Sequence, residues 1–300
     1  MAGKRHMLVV AHTGREDALR AAVTVCDQLT GAGLTPVVSP DQAHEFRSVF
    51  EGDLHLLGDD VALTDIELTI VLGGDGTILG AAELTRGSVA PLLGINHGHV
   101  GFLAESEKDD LSWTVAQALA GEYDVDERLV LDVTVSHDGT EVFRSFAVNE
   151  AALEKASRSR MVEVALEVDG RPISAFGADG VVMATPTGST AYSFSAGGPI
   201  VWPGVEALLM VPLSAHALFA RPLVVGPDSV MAIELLERSS AHAVLWCDGR
   251  RSIEVSPGSR VQASRSADPL RLARLHPGPF TDRLVNKFSL PVTGWRGPEE

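Results

Sequence analysis

The chain has 300 residues, 45 % of them apolar, and a formal net charge of −16. That length suggests about two domains, and the composition is rich enough in apolar residues to exclude a disordered chain. A charge of this sign argues against non-specific nucleic-acid binding, which needs clustered Lys and Arg. It also means that an anionic substrate has to be held by backbone N–H groups, local arginines or metal ions, and not by the global field.

The apolar stretch at residues 7–11 is too short for the apolar core of a signal peptide. No run reaches the ~18 apolar residues of a membrane helix, and residues 205–213 are interrupted by Pro212. Cys26 and Cys247 form no CxxC pair and read as small buried hydrophobes. The expectation is a cytoplasmic protein with no membrane and no nucleic-acid partner.

In chain order, residues 6–11 read as a buried strand. Thr13 is placed to cap a helix that carries Ala18, Ala21, Ala22, Val25 and Leu29 on one face and stops at Gly31 and Gly33. Residues 34–38 are a second strand. Residues 66–72 are a third, running into Gly73-Gly74-Asp75-Gly76-Thr77 and a short helix to about Thr85. Residues 89–95 form a further strand and 110–119 a further helix. Strands alternating with helices predict an α/β domain with a Rossmann-like parallel sheet over residues 1–123.

The pattern then changes to period two. Leu129, Leu131, Val133 and Val135 share a face, followed by Asp138-Gly139. Val162, Val164, Leu166 and Val168 share another, followed by Asp169-Gly170. Residues 243–247 and 252–255 flank Asp248-Gly249. Three Asp-Gly hairpins predict an all-β domain, an antiparallel sandwich, over residues 124–272. A last segment, 273–300, contains a short helix at 281–288.

Three motifs carry chemistry. The glycines of Gly73-Gly74-Asp75-Gly76-Thr77 sit at the carboxyl end of a strand, where open α/β sheets bind ligands, and let the backbone approach a phosphate. An aspartate there would repel phosphate unless it had a task. That task is either accepting a proton from an attacking hydroxyl or capping the helix. No GxxxxGK[ST] loop exists, and Leu79 stands where a dinucleotide fingerprint has its third glycine. The second motif, residues 185–199, is dense in hydroxyls and glycine, suited to ribose and phosphate, with Tyr192 able to stack on a base; a plain polar loop would look similar. The third is Asn149-Glu150, which can grip ribose hydroxyls, followed by Lys155, Arg158 and Arg160, either phosphate contacts or a solvated basic loop. His97 and His99 have no acidic or cysteine partner nearby to complete a zinc set, so no metal ligands are assigned.

Together, GGDGT, the downstream Asn-Glu and Thr185-Pro186-Thr187-Gly188-Ser189-Thr190-Ala191-Tyr192-Ser193-Phe194-Ser195-Ala196-Gly197-Gly198-Pro199 resemble the NAD kinase family in order and spacing, and residues 96–103 resemble its glycine-bearing loop. The resemblance spans roughly residues 66–260. It implies the NAD kinase/diacylglycerol kinase-like fold. It also implies phosphorylation of the adenosine-ribose 2′-hydroxyl of NAD by ATP or polyphosphate, with a divalent ion, usually Mg²⁺. By resemblance, Asp75 accepts the proton and Gly76 belongs to the same site. Asn149 and Glu150 hold the adenosine ribose, and Phe102 packs on the adenine. Arg160 and Asp179 lie toward the nicotinamide. Thr190, Ala191, Tyr192, Ser193 and Ser195 line adenine and ribose. Gly73, Gly74, Thr77, Gly188 and Ser189 are expected beside the donor phosphates. Arg250 is a tentative addition, since the family's turn there often ends in Gln or His, and Gly177 stands where some members carry arginine. The family implies a homodimer or homotetramer, and a C-terminal segment that returns to the first domain. Two rivals remain: a lipid or sugar kinase sharing the GGDGT loop, and a non-catalytic NAD-binding module.

Overall fold

The computed structural model describes residues 5–96, 101–104, 106–107, 111–218, 220–275 and 278–292. The chain forms two compact units, one of residues 1–127 with 270–300 and one of residues 128–269.

The first unit is built on an eight-stranded sheet. Its order is His55–Leu56, Val37–Val38, His6–Ala11, Ile66–Leu72, Leu92–Asn96, Leu270–Arg274 and Asp124–Arg128, with Ser106–Glu107 beside Leu92–Asn96. The pairings from His55–Leu56 through to Leu92–Asn96 are parallel, and Leu270–Arg274 joins Leu92–Asn96 in parallel. The first five strands thus follow the 3-2-1-4-5 order of a doubly wound dinucleotide-binding sheet, whose ligand crevice lies at the strands' carboxyl ends. Strands His6–Ala11 and Ile66–Leu72 are almost wholly buried, as expected of parallel strands covered on both faces.

Helix Glu16–Gly31 buries Ala18, Ala21, Ala22, Val25, Cys26 and Leu29. Thr13 does not cap it: the helix starts two residues later, with Arg15 at the cap position and no side-chain cap bond. The strand expected at 34–38 shrinks to Val37–Val38, because Pro36 lacks an N–H for the ladder and restrains the residue before it. The strand expected at 89–95 begins instead at Leu92, directly after Pro91, for the same reason. The strand His55–Leu56 is too short to leave a periodic signal. Leu270–Arg274, which the pattern grouped with the β-rich half, carries the chain back into the first unit.

The second unit is a sandwich of two six-stranded sheets. One runs Leu223–Val225, Leu208–Leu213, Gly180–Ala184, Glu150–Lys155, Ala243–Cys247, Arg251–Val255, and every pairing in it is antiparallel. The other runs Arg171–Ala178, Val162–Val168, Met231–Leu235, Ser259–Arg265, Leu131–His137, Thr140–Ala147, again antiparallel throughout. Leu131, Val133 and Val135 from one sheet and Leu153, Met183 and Leu245 from the other lie in a single buried cluster. That alternation is what period-two patterning demands when two sheets pack face to face. Each Asp-Gly pair turns with positive φ at both residues: 50° and 74° at 138–139, 52° and 73° at 169–170, 53° and 63° at 248–249. A type I′ hairpin needs this, and Asp followed by Gly tolerates it best.

Both cysteines are buried and unpaired. Burial pushes the Cys26 thiol up to about 12 and the Cys247 thiol up to about 11, so both stay protonated and behave as apolar filler. Among the described residues no helix is long and apolar enough to cross a membrane.

Candidate active site

Strand Ile66–Leu72 delivers the chain to Gly73, whose N–H donates to the Ile95 carbonyl at 2.9 Å. Helix Asp75–Leu84 then begins, with Gly74 at its cap position and no side-chain cap bond. Asp75 therefore does not cap its own helix. Its carboxylate reaches the loop after the next strand, where Oδ2 accepts the Phe102 N–H and Oδ1 the Leu103 N–H, each at 3.1 Å. Residue 101 has to be glycine for this approach, because a Cβ there would stand 2.3 Å from Asp75 Oδ1. Gly73 is buried, Gly74, Asp75 and Thr77 are half-buried, and Gly76 is exposed. The result is a fixed carboxylate at the carboxyl end of a parallel strand, beside the start of a ten-residue helix.

Phe102, given to the adenine by resemblance, is 8 % exposed. Its ring lies 5.7 Å from that of Phe280 and 6.0 Å from that of Phe288, both on the C-terminal helix Phe280–Phe288. His97 and His99 fall outside the described residues.

In the second unit the Asn149-Glu150 pair is held by its backbone. Asp248 Oδ2 accepts the Val148 N–H at 2.9 Å, and Oδ1 accepts those of Asn149 at 2.7 Å and Glu150 at 3.3 Å. Arg251 closes the clasp: Nη2 donates to Asp248 Oδ2 at 2.9 Å, Nη1 to Phe146 O at 2.9 Å, and the guanidinium lies 3.9 Å from the centre of the Phe146 ring. Burial raises the Asp248 carboxyl, against the pull of these donors. Arg250, the tentative choice from sequence, is exposed; the guanidinium on Asp248 is that of Arg251.

The Thr185–Ser195 stretch packs on the same backbone. Thr185 N–H donates to Asn149 O at 2.9 Å, and Thr185 Oγ1 donates to Val148 O at 2.6 Å while accepting the Gly188 N–H. A Cβ on Gly188 would stand 2.0 Å from Asn149 O, so the close approach requires glycine. Beyond it, Tyr192 N–H donates to Glu150 Oε2 at 3.3 Å, and Tyr192 Oη donates to Glu154 Oε1. Glu150 is pushed up to about 7, first by burial and then by the charge of Asp248. Near neutral pH it can therefore donate as well as accept a hydrogen bond to a sugar hydroxyl.

The open volume at this point is a cavity of about 380 Å³ lined by Glu150, Ala152, Glu154, Tyr192, Trp246 and Gly249. Not every residue expected here faces it. Ser189 is fully buried, its hydroxyl accepting the Val201 N–H and donating to Val201 O. Ser193 is also fully buried, and Thr190 Oγ1 donates to Thr187 O. Ala191 is half-buried, and Ser195 is exposed. Asp179 forms an ion pair with Lys155, and Arg160 donates to Ser240 O at 3.2 Å.

Family models match both parts of the chain: the ATP-NAD kinase N-terminal domain over residues 7–123 and the ATP-NAD kinase C-terminal domain over residues 148–275. The chain belongs to the NAD kinase family. The NAD kinase of Leifsonia xyli subsp. xyli is 62 % identical, the alignment covering 100 % of this chain and 99 % of that one. NAD kinase 2 of Streptomyces coelicolor is 54 % identical, with 98 % and 97 % covered. Among solved structures, the yeast NADH kinase complexed with NADH matches with a TM-score of 0.85 at 24 % identity, covering 99 % of this chain and 89 % of that one. The Archaeoglobus fulgidus NAD kinase in complex with ATP matches with a TM-score of 0.70 at 22 % identity, covering 96 % and 100 %. The two structures share this fold, and the relatives share the sequence along its length. This is the NAD kinase architecture, an α/β unit with a mostly parallel sheet and an antiparallel β unit.

Several residues around the candidate site of this NAD kinase family member escaped the sequence reading. Asp248 reads in sequence only as a hairpin residue and Arg251 as an ordinary strand residue, since both lie about a hundred residues from the backbone they hold. Glu154 and Trp246 face the cavity from neighbouring strands, yet each reads alone as an ordinary strand residue. Period-two alternation from Glu150 was the one usable signal, since it sends residues 150, 152 and 154 to one face. Among the described residues no three His, Cys, Asp or Glu side chains are grouped to hold a metal ion, and both Asp75 oxygens already accept amide hydrogens.

Proposed function

We propose that Asp75 is the group through which this chain carries out its family's reaction, transfer of the terminal phosphoryl group of ATP to the adenosine-ribose 2′-hydroxyl of NAD. The observation that carries the reading is the aim of the Asp75 carboxylate. It leaves its own helix uncapped and stands fixed on two backbone amides at a strand's carboxyl end. A carboxylate so placed can orient the 2′-hydroxyl and take its proton as the new P–O bond forms. Little covalent chemistry falls to the protein in phosphoryl transfer, so positioning does most of the work.

On this reading Asn149 and Glu150 hold the adenosine ribose, with Thr190, Ala191, Tyr192, Ser193 and Ser195 around it. Tyr192 and Glu150 face the cavity directly, whereas buried Ser193 acts through packing. Phe102 serves the adenine, and Arg160 and Asp179 the nicotinamide end. Gly73, Gly74 and Thr77 serve the donor phosphates, where the glycines let the chain approach closely, and Gly76 belongs to the NAD site with Asp75; Gly188 and buried Ser189 serve the phosphates from the second unit. A divalent ion, Mg²⁺ by resemblance, would arrive on the phosphates, whose oxygens it prefers. Polyphosphate is a second candidate donor. The cytoplasm and a homodimer or homotetramer complete the proposal.

A coupled assay for NADP formation, with ATP and polyphosphate supplied separately, tests it. NADP formation with either donor, lost in Asp75→Asn while NAD still binds, is the expected result. Full activity of Asp75→Asn would remove the carboxylate from the reaction.

A further inference from the structure

Helix Phe280–Phe288 buries no residue completely, and at nine residues it is shorter than the ~12 at which isolated helices become even marginal in water. It forms because it docks. Phe280, Arg283, Leu284, Val285 and Phe288 are its half-buried residues, spaced along one helical face, and the two phenylalanines flank Phe102. Arg283 Nη1 donates to Phe102 O at 3.2 Å and to Ala104 O at 2.6 Å. From the strand just before it, Arg274 Nη1 donates to Leu103 O at 3.1 Å. Three consecutive carbonyls of the loop are therefore held by two arginines of the returning C-terminal segment. The N–H groups of Phe102 and Leu103, in the same short run of peptides, are the two that hold Asp75.

A peptide unit is planar, so fixing its carbonyl fixes the direction of the N–H across the bond. Arg283 on Phe102 O sets the peptide whose N–H, that of Leu103, meets Asp75 Oδ1. The Phe280 and Phe288 rings restrain the side chain of the residue whose own N–H meets Oδ2. We infer that Arg283 is a positioning residue: through the backbone of residues 102–104 it sets the aim of the Asp75 carboxylate, and the C-terminal helix exists to present it. Arg274 braces the middle carbonyl of the same run. The inference rests on Asp75 as the proton acceptor proposed above.

A double-mutant cycle on the full-length chain tests this, reading kcat and the KM for NAD of the wild type, Arg283→Ala, Asp75→Asn and the double variant. A residue that acts through Asp75 lowers kcat about tenfold when Asp75 is present and by less than about twofold when it is absent, because coupled residues are not additive. Its KM for NAD moves far less than its kcat. Hydrogen exchange gives a readout independent of turnover: the Phe102 and Leu103 amides should exchange faster in Arg283→Ala, with the sheet amides unchanged. An unchanged kcat in Arg283→Ala, or the same factor of loss with and without Asp75, overturns the inference. Should Arg283→Ala lose its cooperative unfolding transition, Arg283→Lys carries the same cycle, with one ammonium able to serve one carbonyl and an intermediate kcat expected. If Asp75→Asn is itself fully active, the reading of Asp75 fails. If Asp75→Asn is impaired while both Arg283 variants turn over normally, only the role of Arg283 fails.

Discussion

The two units hold their candidate site residues in opposite ways. Asn149 and Glu150 sit on a backbone clasped by Asp248 and Arg251 at the edge of a closed sandwich core. Asp75 depends on a loop whose outer brace is a short helix with no fully buried residue. A buried, fully engaged carboxylate stiffens its surroundings at a high cost if disturbed. A docked short helix opens at a much lower cost, since few apolar contacts secure it. The clasp under Asn149 and Glu150 is thus built for permanence and the loop under Asp75 for adjustment.

The largest effect should come from Asp75. Asp75→Asn should lower kcat by about 10²–10⁴-fold, the range of a lost general base, while calorimetric titration shows NAD binding within a few-fold of wild type. A parallel loss of affinity would mean that the carboxylate binds substrate more than it moves protons.

At the clasp the effect should appear as stability. Asp248→Ala removes the acceptor of the Arg251 Nη2 bond and of three backbone N–H groups, and should cost about 3–5 kcal/mol in urea unfolding. A change below about 1 kcal/mol would show that water readily replaces the clasp.

Next in size is a pH effect. Glu150 is raised from 4.5 to about 7 in the folded chain, so the fold binds its proton more tightly than the unfolded chain does. The stability it contributes is complete below pH 4.5 and is lost as pH rises through 7, amounting to at most about 3 kcal/mol. Urea unfolding of wild type and Glu150→Gln at pH 5, 6 and 7.5 should therefore give curves that diverge with pH. Parallel curves would show that Glu150 is ionised throughout.

The smallest and sharpest contrast uses two glycines. Gly188→Ala drives a Cβ onto Asn149 O, which is backbone inside the clasp, and should cost about 1–3 kcal/mol with a raised KM for NAD. Gly101→Ala drives a Cβ onto Asp75 Oδ1, the end of a side chain that can swing away, so it should lower kcat with little change in thermal stability. Equal effects on stability would erase the distinction between the two units.

Much of this was legible in sequence because it is local. Parallel strands buried on both faces read as apolar runs, Asp-Gly pairs announce hairpins through backbone sterics alone, and GGDGT marks a turn at a strand's end. Thr13 misled because a capping residue is only a candidate until the loop before the helix has a shape. The strand expected at 34–38 was overcalled because one proline outweighs its apolar neighbours. Asp75, Asn149, Glu150 and Tyr192 could be proposed as site residues from residue type and order.

What the sequence by itself determined was which residues can do the chemistry, since a carboxylate among glycines or an Asn-Glu pair is a property of the chain read in order. Only the tertiary structure decided what holds them. Asp248 meets Asn149 across 99 residues and Arg283 meets Phe102 across 181, distances over which no periodicity or motif survives. Such partners are chosen by where sheets and returning segments bring backbone carbonyls and amides together, and that geometry exists only once the chain has folded.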